Sequence, residues 1–283
     1  MTSRIRSSRG LRILPSATTV LAICAGLTSI KFALDGRPHV ALALIGAAAV
    51  LDGIDGGIAR ALHAQSPMGA EIDSLADAVN FGVAPALVVY VTLLPNSPIG
   101  WIFVLLYVVC IVLRLARFNA LLDDETRPAY TRQYFVGMPA PCGAVGAIGP
   151  LAAMLQFGHG WWTSPAFVCA WLAANPALLV SRVPTLALKS ISVPANAAPI
   201  LLIVVAVAAA GLLLFPYILV LLIIAGYLLI MPFTIRSQRW VAARPEAWDV
   251  KPQQRRAARR AIRRSQHPTR RSTTRLGLRK PGG

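Results

Sequence analysis

The sequence predicts an all-α protein whose helices cross a membrane several times. Of its 283 residues, 56% are hydrophobic and 14% are charged, and the mean hydropathy is +0.61. Apolar runs near the roughly 20 residues that a helix needs to cross a bilayer recur along the chain. A helix also pairs its backbone amides internally, as hydrocarbon requires. We therefore predict a polytopic helical membrane protein rather than a soluble domain.

Turn residues and polar breaks divide the apolar sequence into about eight predicted transmembrane helices, which form one domain from residue 14 to residue 234. The predicted spans are Leu14–Leu34, His39–Leu62, Glu71–Leu94, Ile99–Leu121, Val136–Phe157, Trp162–Val180, Asn196–Leu214 and Pro216–Thr234. A basic segment, residues 1–13, precedes this domain, and a basic tail, residues 235–283, follows it.

Lysine and arginine accumulate in alternate connections, which predicts how the spans are oriented. Basic residues precede the first span and follow the even-numbered spans: Arg4, Arg6, Arg9, Arg12, Arg60, Arg127, Arg132, Arg182 and Lys189. The opposite connections carry only Arg37, with Asp35 nearby. Because basic connections usually stay in the cytoplasm, we expect a cell-membrane protein with both termini and the turn after span two on the cytoplasmic side.

The tail, residues 235–283, holds 15 lysines and arginines against Glu246 and Asp249. Such a single-sign charge with few apolar residues cannot form a core, so we predict that the tail is disordered. Its expected contact is the anionic headgroups of the nearby leaflet. Charge alone would also permit nucleic acid binding, but its basic runs lack interleaved aromatic residues, and nucleic acid is not expected as a partner.

The stretch Asp52–Asp77 places four carboxylates and one arginine in otherwise apolar sequence. A charged side chain at the centre of a membrane helix costs roughly 2.5–3.5 kcal/mol, so such residues usually face a protein interior and have a function. On a helix, Asp52 and Asp55 lie on one face, one turn apart, and Asp73 and Asp77 do the same on the next helical segment. Two helices joined by a short turn can therefore bring all four carboxylates together.

Four carboxylates held this close repel one another unless a positive charge lies between them. One or two divalent cations, bound through oxygen ligands, would keep all four ionised. The acidic stretch therefore predicts a metal site.

The acidic stretch follows the pattern D-x2-D-G-x2-A-R-x8-G-x3-D-x3-D. This pattern resembles the signature of the CDP-alcohol phosphatidyltransferases, and all eight defining positions match in identity and spacing. The resemblance implies a helical membrane enzyme that transfers a phosphatidyl group from a CDP-linked lipid to an alcohol, and it implies a homodimer.

The resemblance also implies a role for each matched residue. Two divalent ions, Mg²⁺ or Mn²⁺, would be bound by Asp52, Asp55, Asp73 and Asp77. The nucleotide site would be formed by Gly56, Ala59, Arg60 and Gly69. Asp77 would also act as the catalytic base that takes the proton from the acceptor hydroxyl.

Other stretches resemble the branch of the family whose acceptor is L-serine. They are Glu71–Leu87, Leu113–Asn119, Phe135–Pro141 and Leu178–Lys189. The resemblance implies transfer from CDP-diacylglycerol to L-serine with release of CMP, and it makes Arg114 and Arg117 candidate substrate contacts.

Three alternatives remain open at this point. The acceptor could instead be glycerol 3-phosphate or an inositol compound, although those branches usually lack the continuation through Leu87. A cation transporter would also use clustered acids, but it would more typically show internal repeats and acids spread over several helices. Finally, Arg60, Arg114 and Arg117 could anchor helix ends at the lipid headgroups rather than contact a substrate.

Overall fold

The computed structural model describes residues 3–61, 67–122, 134–136, 138–180, 184–186, 206, 210–211 and 214–242. The helices are α1 Ser3–Leu34, α2 Pro38–Ala61, α3 Pro67–Asp77, α4 Ala84–Leu93, α5 Pro98–Leu122, α6 Ala140–Ala147, α7 Gly149–Phe157, α8 Pro165–Val180 and α9 Pro216–Ala242. A π-helical segment, Ala78–Val83, joins α3 to α4, and a 3-10 turn, Trp161–Thr163, precedes α8. The predicted all-α membrane class is confirmed.

Two short strands are the exception to the helical architecture. Strand β1, Tyr134–Val136, pairs antiparallel with β2, Pro184–Leu186. The ribbon joins the connection after α5 to the connection after α8, and these are two of the basic connections that the sequence assigns to one side of the membrane.

The described helices contain five that are long and apolar enough to cross a membrane. These are Ala17–Leu34, Pro38–Gly57, Met68–Leu93, Pro98–Ala120 and Pro216–Thr234. They match five of the eight predicted spans, and the bent pair α6–α7 makes a sixth if it crosses as one unit. The predicted span Asn196–Leu214 lies almost wholly outside the described residues, so the total of eight stays a prediction.

The predicted fifth span, Val136–Phe157, is wrong as a continuous helix. Its first residue belongs to β1, and the rest is split into α6 and α7, which meet at an angle of 41°. Pro150 explains the break, because it has no N–H for a helical hydrogen bond and its ring clashes with the preceding turn. The predicted sixth span is likewise shorter than expected, since α8 has 16 residues.

Two helices extend across the predicted domain boundaries, which stay predictions. Helix α1 begins at Ser3, so it includes the basic N-terminal segment, while its part that is apolar enough to cross a membrane is Ala17–Leu34. Helix α9 continues past Thr234 to Ala242, so the start of the predicted tail is helical rather than disordered. The rest of the tail, 243–283, lies outside the described residues.

The π-helical segment is stabilised by a side chain from α5. A π turn leaves carbonyl groups out of the regular α-helical pattern. The hydroxyl of Tyr107, a fully buried residue, donates a hydrogen bond of 2.8 Å to the carbonyl oxygen of Phe81 within the segment. A Cβ on the adjacent Gly82 would lie 3.1 Å from a methyl group of Ile111. The segment and α5 are therefore in close contact just after the last acid of the motif.

Candidate active site

Three of the four acids come together at the ends of α2 and α3. Each of Asp52, Asp55 and Asp73 offers one carboxylate oxygen, and these three atoms lie within 4.8 Å of one another. Exposure rises across the cluster, since Asp55 is buried, Asp52 is half-buried and Asp73 is exposed. The cluster is therefore closed on the side of Asp55 and open on the side of Asp73.

The fourth acid, Asp77, lies beside the cluster rather than within the three-oxygen group. Its carboxyl hydrogen-bonds the carboxyl of Asp52. Two carboxylates in such contact share either a proton or a cation. Asp77 also lies close enough to the guanidinium of Arg114 for their charges to attract. Its surroundings thus differ from those of the other three acids.

Asp55 has the most specific environment of the four. Its side chain is 2% exposed, and its Oδ2 accepts a hydrogen bond of 2.7 Å from the hydroxyl of Thr19 on α1. Its Oδ1 is buried and has no hydrogen-bond partner among the described residues. Sequence reasoning missed Thr19, because it lies in an apolar helix 36 positions before Asp55 and belongs to no motif.

These residues fit a divalent cation. Leaving a buried carboxylate oxygen without a partner is costly, and a bound cation would remove that cost. Carboxylate oxygens are the ligands that Mg²⁺ and similar hard cations prefer. Asp52, Asp55 and Asp73 each supply one such oxygen from two helices, and Oδ1 of Asp55 has no other partner among the described residues.

Glycines of α2 leave space next to the acids. A Cβ on Gly53, Gly56 or Gly57 would meet no atom within 4 Å in the part of the chain that the structure describes. Glycine within a helix costs about 1 kcal/mol relative to alanine. Packing against the described residues does not explain why these three positions are glycine. The close approach of a ligand to the helix backbone would explain it.

The other residues of the implied nucleotide site lie at the facing helix ends. Ala59 and Arg60 belong to the last turn of α2, and their side chains are outside the described part. Gly69 lies in the first turn of α3. The backbone thus brings all members of the motif to one end of the α2–α3 pair.

The structure separates the two arginines that the sequence could not distinguish. Arg114 is half-buried, its guanidinium lies 5.4 Å from the ring centre of Phe118, and its charge acts on Asp77. Arg117 instead donates a hydrogen bond of 3.4 Å to the carbonyl oxygen of Val180, the last residue of α8. Arg114 therefore belongs to the acidic site, whereas Arg117 binds the C-terminus of a neighbouring helix.

An apolar cavity of about 160 Å³ lies between α6, α8 and α9. Its lining includes Met138, Cys142, Val145, Trp171, Ala174, Leu178, Ile223 and Tyr227. Two of these, Cys142 and Tyr227, are near enough to Arg114 to act on its charge. Arg114 is therefore within electrostatic range both of Asp77 and of two residues of the cavity wall.

Polar contacts also link α3 and its π-helical continuation to neighbouring helices. Asn119 of α5 donates a hydrogen bond of 2.9 Å to Ser74, next to Asp73. Asn80 is 1% exposed, and its amide oxygen lies so close to Gly26 of α1 that a Cβ there would collide with it. Asn80 thus packs against α1 instead of facing the acids.

The chain belongs to the CDP-alcohol phosphatidyltransferase family, whose family model matches residues 12–174. It is 61% identical over 284 aligned positions to the CDP-diacylglycerol–serine O-phosphatidyltransferase of Mycobacterium tuberculosis (strain ATCC 25618 / H37Rv), and the match covers 100% of this chain and 99% of that protein. It is 60% identical to the protein of the same name from Mycobacterium leprae, over 100% and 94% of the two chains. The archaetidylserine synthase of Methanothermobacter thermautotrophicus is 34% identical over 47% of this chain and 54% of its own. The predicted family is confirmed.

The different positions of the two arginines predict different effects of their substitution. Arg114→Gln should lower phosphatidyltransferase activity about 10-fold or more, because it removes the positive charge that acts on Asp77, and a loss of about 1.4 kcal/mol of transition-state stabilisation is already a factor of ten. Arg117→Gln should change activity much less and lower thermal stability slightly, because it removes only an exposed contact at a helix end. Both are measured on purified protein in detergent. Equal losses of activity would contradict this separation.

Proposed function

We propose that this protein is a CDP-diacylglycerol–serine O-phosphatidyltransferase, which transfers the phosphatidyl group of CDP-diacylglycerol to the hydroxyl of L-serine and releases CMP. The observation that carries the proposal is the acidic cluster with Arg114 beside it. Relatives that match the chain over its full length carry the same name and include the same acceptor in it.

The acids have two roles in this proposal. Asp52, Asp55 and Asp73 would hold a divalent cation, Mg²⁺ or Mn²⁺, and a second ion would also involve Asp77. When bound, the cation neutralises the pyrophosphate and stabilises the attacking and leaving oxygens. The gathering of three carboxylate oxygens from two helices supports this assignment.

Asp77 would act as the general base. As the serine oxygen attacks the phosphorus that bears the diacylglycerol, Asp77 accepts the hydroxyl proton, and the bond from phosphorus to CMP breaks. Asp77 lies beside Asp52 but does not belong to the group of three oxygens from Asp52, Asp55 and Asp73. One of its carboxylate oxygens would therefore remain to accept the proton.

The substrates would occupy the two sides of this centre. The nucleotide would lie along the α2–α3 ends, where Gly56, Ala59 and Gly69 permit close approach and Arg60 binds phosphate oxygens. Arg114 would bind a carboxylate or phosphate of the substrates through two parallel hydrogen bonds. Arg117 was a candidate for the same task, but its contact with α8 favours an anchoring role.

The apolar cavity would receive part of the diacylglycerol. Its wall is formed mostly by apolar and aromatic side chains, and the charge of Arg114 acts both on Asp77 and on Cys142 and Tyr227 of that wall. Because CDP-diacylglycerol carries its charge on one end and its chains on the other, a charged centre beside an apolar cavity matches both ends. The volume of about 160 Å³ holds only a segment of one chain.

The setting of the reaction is proposed from the sequence. The protein would be integral to the cell membrane, with the active site and both termini on the cytoplasmic side, because the basic connections lie at that end. The basic tail would contact anionic headgroups. A homodimer is proposed from the family resemblance alone.

The acceptor is tested by incubating the purified protein with CDP-diacylglycerol and one acceptor at a time. CMP release should require L-serine and a divalent cation, and chelation should abolish it. Glycerol 3-phosphate and inositol should give no release above the background without acceptor. Release with glycerol 3-phosphate but not with serine would overturn the proposed acceptor and leave the family intact.

The two roles of the acids are separated by a metal titration of turnover. Asp77→Asn should lower turnover about 10²–10⁴-fold, the usual range for loss of a general base, and added metal should not restore it. Asp52→Asn should first weaken metal binding, so high Mg²⁺ or Mn²⁺ should restore part of its turnover. Full recovery of Asp77→Asn in excess metal would reduce Asp77 to a metal ligand.

The cavity is tested by filling it. Ala174→Phe should raise the apparent KM for CDP-diacylglycerol at least roughly 10-fold, because a misfit of even one methylene group in an apolar pocket costs about 1–3 kcal/mol and the added phenyl ring is larger. The KM for L-serine should not change. Ala170→Phe, on an exposed site of the same helix that does not line the cavity, is the matched control. An unchanged lipid KM in Ala174→Phe would place the acyl chains elsewhere.

A further inference from the structure

We infer that Thr19, a residue of α1 outside the acidic motif, is a positioning residue for the cation site: its hydroxyl holds the Asp55 carboxylate so that Oδ1 faces the cation. The inference rests on the proposed cation site and extends it to a helix that carries none of the ligands.

The contact between Thr19 and Asp55 is short and buried. The Thr19 hydroxyl donates to Asp55 Oδ2 over 2.7 Å, and both side chains are buried. This bond fixes the rotation of the carboxylate about its last torsion and uses one of its two oxygens. The other oxygen, Oδ1, is the one without a hydrogen-bond partner in the described part of the chain. Thr19 therefore determines which oxygen of Asp55 is left to bind the cation.

Helix α1 is itself held by close packing. Thr19 can orient Asp55 only if α1 itself is held in place within the helix bundle. Gly26, two turns further along α1, lies against the buried Asn80 amide, and any side chain at Gly26 would collide with it. The hydroxyl of Ser29, also buried, donates to the carbonyl oxygen of Gly26 over 2.6 Å. Close packing of α1 on the π-helical segment thus restricts sliding of α1 along its axis, and so holds Thr19 in place beside Asp55.

The hydroxyl is the part of Thr19 that orients Asp55. Groups that hydrogen-bond a metal ligand keep it in the binding orientation, and their loss typically weakens metal binding about 10–100-fold. Valine has the shape of threonine without the donor. In a buried site no bulk water can replace the lost hydrogen bond, so Asp55 would become free to rotate or would lack a partner at both oxygens.

The inference is tested by Mn²⁺ binding to the purified full-length protein, followed by the loss of the free Mn²⁺ signal in electron paramagnetic resonance. Thr19→Val should weaken Mn²⁺ binding about 10–100-fold, and Thr19→Ser, which keeps the hydroxyl, should bind like the wild type. Thr28→Val is the matched control, because the Thr28 hydroxyl donates to the carbonyl of Cys24 within α1 itself. In turnover assays, Thr19→Val should shift the Mn²⁺ activation midpoint by the same factor and recover its kcat at saturating metal.

The outcomes separate this inference from the proposed cation site. If Asp55→Asn loses Mn²⁺ binding but Thr19→Val does not, the role of Thr19 is overturned and the site stands. Equal weakening in Thr19→Val and Thr19→Ser would show that packing, not the hydroxyl, is responsible, which also overturns it. If wild type and Asp55→Asn bind Mn²⁺ equally, the cation site itself fails. Should Thr19→Val not fold, Thr19→Cys, which has a similar size and only a weak donor, takes its place with the same expected weakening.

Discussion

The mutual repulsion of carboxylates in an apolar helix bundle is the constraint on which the rest of this structure depends. Asp52, Asp55 and Asp73 bring their oxygens within 4.8 Å of one another, and Asp55 is buried. Three like charges at such distances in a medium of low dielectric constant require opposite charge or hydrogen-bond donors. The chain supplies two such groups from helices outside the motif, a hydroxyl from Thr19 to Asp55 and a guanidinium from Arg114 that acts on the neighbouring Asp77. The remaining negative charge is what makes the site suited to a cation.

The helices around the acids follow from this constraint. The segment Ala78–Val83 begins directly after Asp77, and a π turn rotates the following residues relative to a continuous α-helix. Residues before the turn can therefore face the acids, while Asn80 and Phe81 face α1 and α5 instead. Such a turn would weaken an isolated helix. Here the buried Tyr107 hydroxyl satisfies a carbonyl that the turn displaces, so the change of face is stabilised from α5.

Much of this architecture is present in the sequence, because it is local. The apolar runs define the helical class, and the spacing of the motif places its acids at the ends of α2 and α3. What depends on contacts between distant segments could not be predicted. Thr19 is one of many small polar residues in apolar helices, and nothing near it in sequence indicates that its partner is Asp55. The same applies to Arg114 and Arg117, which lie one turn apart at the same helix end and differ only in what surrounds them. The break between α6 and α7, by contrast, was missed although its cause is local, since Gly149 and Pro150 interrupt the apolar run.

The acids differ in exposure, and this difference suggests how a lipid and a water-soluble acceptor can reach the same site. Asp55 is closed off by α1, whereas Asp73 on α3 is exposed. A polar substrate can therefore approach from the side of Asp73 without passing between α1 and α2. The apolar cavity lies between α6, α8 and α9, and Cys142 and Tyr227 of its wall are within electrostatic range of Arg114. Because α9 buries little of its apolar surface against the described helices, the cavity lies behind a helix with few contacts. The acidic site is thus covered by α1 and exposed to solvent at α3, and an apolar cavity lies near Arg114. A charged headgroup and its hydrocarbon chains can therefore be bound by different parts of the same helix bundle.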